Sequence, residues 1–336
     1  MVGARLAQVR KNVGRSTLVD DNGGAVRHRY RNLDPAHRPH RPAAILRWGV
    51  VDPLLGRRRR AAPGPPAPTV PPDLERIHGH DDRPWLTWIG HASFLGSLGG
   101  RPFLIDPVFS DHAGVLYRRY LPPGLMPSDL PPVCAVLVTH NHFDHLDAAA
   151  VCAVPAEVPV VVPAGLGRWL RRRGRRVVVE LEWWESARIE GLDVTLVPAR
   201  HWSRRRVLDT NRSLWGGYVV EAEAQRVYHA GDTAWFDGFG EIGRRFPGLQ
   251  AALLPIGGYQ PAWFMEQQHL NPEQAGTAFL ELGARRLVPM HWGTFQLTDE
   301  PLAEPAERIR EWWRRRAPGD GRRLRVLAVG ETLELG

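Results

Sequence analysis

The sequence predicts an α/β fold made of packed layers of strand and helix. Three observations carry this. Short apolar runs of strand length recur from about residue 84 onward, helix-like stretches lie between them, and run after run ends in a histidine or an aspartate.

The chain begins with a different texture. Residues 1–60 hold 14 Arg or Lys against 4 Asp or Glu, a net of +10, while all 336 residues together carry +8. The basicity therefore belongs to an N-terminal extension and not to the main body. Residues 1–50 read as irregular, and "GRRRRAAPGPPAPTVPP" from Gly56 reads as a linker or extended arm. This divides the chain into a basic extension with a Pro-rich linker, residues 1–80, and a catalytic domain, residues 81–336. The segment "AAILRWGVVDPLLG" mixes apolar residues with arginine. It is expected either to pack on the main domain or to touch an anionic membrane surface.

No secretory h-region and no transmembrane run is visible, and Cys134 and Cys152 have no framework spacing. A cytoplasmic protein is expected, at most peripheral to a membrane. The basic charge lies outside the body and no nucleic-acid motif is present, so nucleic acid is not an expected partner. Nothing in the sequence bears on oligomeric state.

Seven strands are expected, at "WLTWIGH", "PFLIDP", "AVLVTH", "VTLVPARH", "RVYHAGD", "ALLPIGG" and "RLVPMH". Three helices are expected at "PAGLGRWLRRRG", "NPEQAGTAFLELG" and "PAERIREWWRRRA". In the second, Asn271 suits the N-cap, Pro272 the first turn and Gly283 the left-handed position after the last turn.

The strand-end residues His91, Asp106, His140, His201, Asp232 and His291 converge if their strands lie side by side. Buried acids and imidazoles are costly unless paired or metal-bound, and both are ligands for zinc and related ions. In "VCAVLVTHNHFDHLD", His140 and His142 are two apart and can face one ion. Asp144 and His145 follow at once and suit a second ion. Asp232, in "HAGDT", can give one oxygen to each.

"THNHFDHLD" resembles the His-x-His-x-Asp-His signature of the metallo-β-lactamase superfamily. The resemblance implies an αβ/βα four-layer sandwich, two mixed β-sheets with helices on the outer faces, and two Zn2+ or other divalent ions at one edge. By resemblance His140, His142 and His201 hold the first metal, Asp144, His145 and His291 the second, and Asp232 bridges. Further motifs, among them "TWIGHASFL", "IDPVFS", "PARHWSRR", "LLPIGGYQPAWFM", "QHLNPEQA" and "MHWGTFQLTDEPLAEP", narrow it. In this order they resemble N-acylphosphatidylethanolamine-hydrolysing phospholipase D and its bacterial relatives, over roughly residues 85–316, with "RYRNLD" a weak extension into the arm.

The expected activity is hydrolysis of a phospholipid or other phosphodiester by a hydroxide held between the metals. The alternative is a metal-dependent hydrolase of a soluble lactone or cyclic phosphodiester on the same fold. Asp144 and His269 are the candidate catalytic residues, and Tyr259, Trp263 and His269 the candidate substrate contacts. His91 and Asp106 are candidates for orienting the ligands from behind.

Overall fold

The computed structural model describes residues 8–10, 29–33, 37, 40, 42–206, 208–316, 319 and 321–336. Much of the basic extension expected over residues 1–80 lies outside them.

All seven expected strands are present, and the described residues assemble them into two mixed sheets. One runs Thr332–Glu334, Trp85–Gly90, Ser93–Leu98, Arg101–Ile105, Ala135–Leu137, Val160–Pro163, Val178–Leu181. The other runs Gln8–Arg10, Ser186–Ile189, Leu192–Val197, Gly217–Ala222, Gln225–His229, Ala251–Pro255, Arg286–Met290, Arg323–Leu324.

The two-residue strand period sorts each run between two cores. Phe103, Ile105, Leu137 and Val161 face the other sheet, where they meet Val194, Leu196, Tyr218 and Val220. Leu104, Val136, Val160 and Val162 point outward onto Val151 and Leu170 of the helices Ala148–Ala153 and Gly167–Arg171. The helices Gly238–Arg245, Pro272–Leu282 and Glu304–Arg316 contribute Phe239, Phe279 and Ile309 to the core on the second sheet's side. Burial on both faces is why these strands read as continuous apolar runs instead of alternating ones. The architecture is the expected four-layer sandwich.

Helix Pro272–Leu282 has the ends its sequence dictates. The Asn271 side chain accepts from Gln274 N at 2.8 Å, Gln274 returns the bond to Asn271 N at 3.1 Å, and Gly283 closes the helix at φ +65°.

Residues 1–50 are not irregular throughout. The chain is helical from Pro42 to Leu54, with a wider turn over Arg47–Val51. Tertiary stacking overrides the weak local signal: Trp48 lies flat on Phe264 at 4.7 Å and under the Arg58 guanidinium at 4.1 Å. The Pro-rich segment beyond is laid against the body through Ala61 N to Asp299 O (2.9 Å), Ala67 N to Gly293 O (3.0 Å) and Val70 N to Val329 O (2.9 Å).

Topology then places the chemistry. Arg101–Ile105, Ala135–Leu137 and Val160–Pro163 run parallel, as do Gln225–His229, Ala251–Pro255 and Arg286–Met290. Their carboxyl ends therefore open on one edge, the usual place for a site in such sheets.

Candidate metal centre

At that edge Asp106, the loop from His140 to His145, His201, Asp232 and His291 come together and are largely buried. Among the described residues, three groups have ligand atoms within 4.8 Å of one another: His140, His142, His201 and Asp232; His91, Asp144, His145 and His291; and Asp232, His269 and His291. Asp232 lies between the first two. Its Oδ2 is 3.8 Å from His140 Nε2 and 3.7 Å from His201 Nε2, and 3.2 Å from His145 Nε2; its Oδ1 is 3.2 Å from His291 Nε2. The turn carrying Asp232 fits because Gly231 adopts φ +61°, and a Cβ there would sit 2.8 Å from Thr139.

A hydrogen-bond relay behind the ligands fixes their tautomers. Asp106 Oδ1 accepts from Thr139 N at 2.7 Å, and its Oδ2 accepts from Thr139 Oγ1 at 2.6 Å and from His145 Nδ1 at 2.7 Å. The Thr139 hydroxyl, having donated to Asp106, accepts from His140 Nδ1 at 3.0 Å. His201 Nδ1 donates to Gln268 O at 2.9 Å. In all three imidazoles Nδ1 is occupied, which leaves the Nε2 lone pair facing the pocket. His91 Nε2 bonds Asp144 Oδ2 at 3.0 Å and so orients that carboxylate.

The electrostatics ask for cations. Burial alone would raise Asp144 and Asp232, yet both are held well below the carboxylate range, first by His145 and then by His291 and the other imidazoles around them. Burial pushes His140 and His201 well down and His142 to about 4, which keeps them neutral. Burial acts the same way on His145 and His291, but Asp232 and Asp144 outweigh it. They draw a proton onto His145, well above its usual range, and onto His291, at about 9. His145 Nε2, Asp232 Oδ1 and His291 Nε2 are buried and make no hydrogen bond among the described residues. Two buried carboxylates facing a set of imidazole nitrogens fit divalent cations, which replace those protons. The donors are nitrogen and oxygen, as zinc and related ions prefer.

The other expected residues have these places. His269 is half-buried, with Nδ1 3.9 Å from Asp232 Oδ2 and a pKa lowered to about 4, chiefly by desolvation. Tyr259 is buried, its hydroxyl donating to Glu304 at 2.6 Å and its ring 4.6 Å under Arg308, so its polar end is tied to the C-terminal helix. Trp263 is at the surface beneath the Arg47 guanidinium, at 4.6 Å.

Two contributors escaped the sequence reading. Arg205 donates through Nη1 to Asn141 O (3.1 Å) and Leu146 O (2.7 Å), gripping the His140–His145 loop at both ends. Its guanidinium also stacks 4.2 Å over Phe143. Within a run of three arginines nothing marks it. Asn32 clasps the backbone of His201, accepting from His201 N at 3.0 Å and donating to His201 O at 2.8 Å. The "RYRNLD" motif was the available signal for it.

Backbone strain collects here as well. His91, Asp106 and His291 adopt φ of +53°, +44° and +62°, a region that costs a non-glycine residue about 1–3 kcal/mol. Surrounding bonds enforce it: His91 N donates to Thr294 Oγ1 at 2.8 Å and His291 N to His91 O at 3.0 Å.

Comparison with known proteins gives a consistent picture. Residues 101–292 match the model of the Beta-lactamase superfamily domain. An uncharacterised Mycobacterium tuberculosis protein is 38% identical over 289 residues, 83% of this chain and 76% of the relative. The Caenorhabditis elegans N-acyl-phosphatidylethanolamine-hydrolyzing phospholipase D 1 is 37% identical over 245 residues, 68% of this chain and 69% of the relative. Among solved structures, a possible metal-dependent hydrolase from Veillonella parvula superposes with a TM-score of 0.61 at 21% identity, over 75% of this chain and 99% of the other.

Proposed function

The chain belongs to the β-lactamase superfamily and is a metal-dependent hydrolase, and from that premise we infer that it is a dinuclear phosphodiesterase cleaving N-acylphosphatidylethanolamine-like lipids in the manner of a phospholipase D. The observation that carries the reading is the convergence of seven candidate ligands, six of them buried and His142 half-buried, with Asp232 in reach of both sets. The similarity to the nematode enzyme supports the substrate class.

In this reading His140, His142 and His201 would hold one ion and Asp144, His145 and His291 the other, with Asp232 in reach of both sets. A zinc pair so bound lowers the pKa of water to about 7 and neutralises charge developing on phosphoryl oxygens. The chain's residues supply the geometry. Asp106 and Thr139 keep His140 and His145 in the tautomer that presents Nε2. Asp144, held anionic and oriented by His91, contributes a carboxylate on the side of His145 and His291. His269 stands beside Asp232, its ring 3.1 Å from where a Gly258 side chain would begin; it is placed to contact a phosphoryl oxygen or the departing alkoxide. Hydrolysis puts the water oxygen on phosphorus and releases the amide-bearing alcohol, leaving a phosphatidic acid.

A lipid panel incubated with metal-loaded protein, with products read by mass spectrometry, tests this. Phosphatidic acid and N-acylethanolamine are the expected products. Turnover restricted to soluble lactones or cyclic phosphodiesters would replace the lipid reading with the alternative.

A further inference from the structure

Several exposed large apolar side chains sit on elements that connect to the loop carrying the candidate ligands His142 and Asp144. Leu54 (80% exposed) and Leu55 end the N-terminal helical segment. Val115 (92%) and Leu116 (80%) form the tip of the hairpin joining His112–Ala113 to Tyr117–Arg118. Phe143, half exposed, lies between the candidate ligands His142 and Asp144, and Leu208 (72%) stands on the loop after His201.

These tips belong to elements in mutual contact. Arg60 of the arm reaches the hairpin's Tyr117 at 5.9 Å. Gly114 of the hairpin abuts Phe143, whose ring would be 3.3 Å from a Cβ there. Arg205, three residues before Leu208, stacks on the same ring at 4.2 Å. The elements that bear these apolar points are thus linked, through Tyr117, Gly114 and Arg205, to the loop that carries Asp144.

Arginine is interleaved with them. Arg57 and Arg59 are exposed and form no ion pair among the described residues; Arg118, Arg204 and Arg206 are exposed too. The nearby carboxylates are mostly engaged: Asp52 with Arg47 at 3.1 Å, Asp299 with Arg58 at 2.6 Å, and Asp209 with the amides of Arg205 and Arg206. Asp111, at the foot of the hairpin, is the exposed acid of the set. Single apolar tips set apart by arginines suit a planar and fluid anionic surface: the tips enter the acyl boundary and the guanidinium groups meet headgroup phosphates. A folded protein partner would instead call for one contiguous apolar core.

We propose that the hairpin tip, the Phe143 and Leu208 loops and the Leu54–Leu55 corner form a docking face for an anionic lipid bilayer, which sets the metal centre against the membrane. The expected membrane contact of the arm becomes one sector of a wider face. The proposal rests on the phospholipid reading above for its purpose but not for its test.

The test is co-sedimentation of the full chain with vesicles of phosphatidylcholine alone or with equal phosphatidylglycerol, for wild type, V115E/L116E and L54E/L55E. Wild type is expected to sediment with the anionic vesicles and to be released by salt. Each double variant is expected to lose roughly tenfold or more in partitioning, while keeping its unfolding temperature and its turnover of a short-chain soluble phosphodiester. Wild-type protein that ignores anionic vesicles, or variants that bind like wild type, would overturn the proposal. So would a concentration-dependent dimer that V115E/L116E abolishes while vesicle binding persists, since the tips would then face a second copy. Vesicle binding without lipid hydrolysis would support the face and defeat the substrate reading.

Discussion

Replacing Asp106 with Asn changes one oxygen for an NH2 group and leaves the shape of the side chain intact. Asp106 accepts three bonds, all at 2.6–2.7 Å, and is fully buried. An amide accepts through one oxygen only. If that oxygen keeps Thr139 N, the NH2 group confronts two donors, the Thr139 hydroxyl and His145 Nδ1–H. The relief is for the hydroxyl to turn and for His145 to move its proton to Nε2, the atom that faces Asp232 at 3.2 Å. That removes a ligand lone pair. The turned hydroxyl can no longer accept from His140 Nδ1, so a second ligand loses its orientation. A charge-assisted hydrogen bond is worth about 1.5–3 kcal/mol, and changes behind a ligand cost about 10–100-fold in metal affinity or activity, equivalent to about 1.4–2.7 kcal/mol. With two ligands affected through one residue, D106N is expected at the upper end of that range. Metal content by mass spectrometry, together with activity against added zinc, reads it. Saturating metal should restore part of the rate. T139V, which keeps Asp106 and His145 but cuts the arm to His140, should lose less. A D106N protein with wild-type metal affinity and turnover would refute the reasoning.

Four further outcomes are expected. H269A should retain wild-type metal content and lose about 10²-fold in kcat, the low end for a proton-transfer or hydrogen-bonding group; loss of metal in parallel would instead make His269 a ligand. R205M should lower activity at least tenfold and weaken metal binding, because the carbonyls of Asn141 and Leu146 lose their shared donor; an unchanged metal titration would show that the grip is dispensable. Chelation should abolish activity, and restoring metal at about 100 times its Kd should raise stability by about 2.7 kcal/mol, visible as a higher unfolding temperature. N32A should reduce turnover of soluble as well as lipid substrates, since it frees the backbone of His201; a defect confined to vesicle-bound substrate would contradict that.

The fold and the convergence of the candidate ligands were legible for the same reason. Strands buried on both faces must be apolar throughout, so the polar residue at each strand end stands out, and parallel pairing carries His140, Asp232 and His291 to one edge without further instruction. The capping residues of helix Pro272–Leu282 act locally and could be read locally. What stayed hidden depends on distant partners. The helix over Pro42–Leu54 is stabilised by Trp48 lying on Phe264, a contact across more than two hundred residues. Arg205 looks like its neighbours Arg204 and Arg206 until the loop it holds is in place. Positive φ at His91, Asp106 and His291 has no signature in residues that ordinarily avoid it. Tyr259 sits in a motif suggestive of substrate contact, yet its hydroxyl is already bonded to Glu304.

Anomalous diffraction from crystals of the purified, metal-loaded protein is the most direct measurement. The seven-ligand account expects two peaks about 3.5–4 Å apart, one coordinated by His140, His142 and His201, the other by Asp144, His145 and His291, with Asp232 within reach of both. A single ion with His145 and His291 uncoordinated, or cations bound elsewhere, would contradict it.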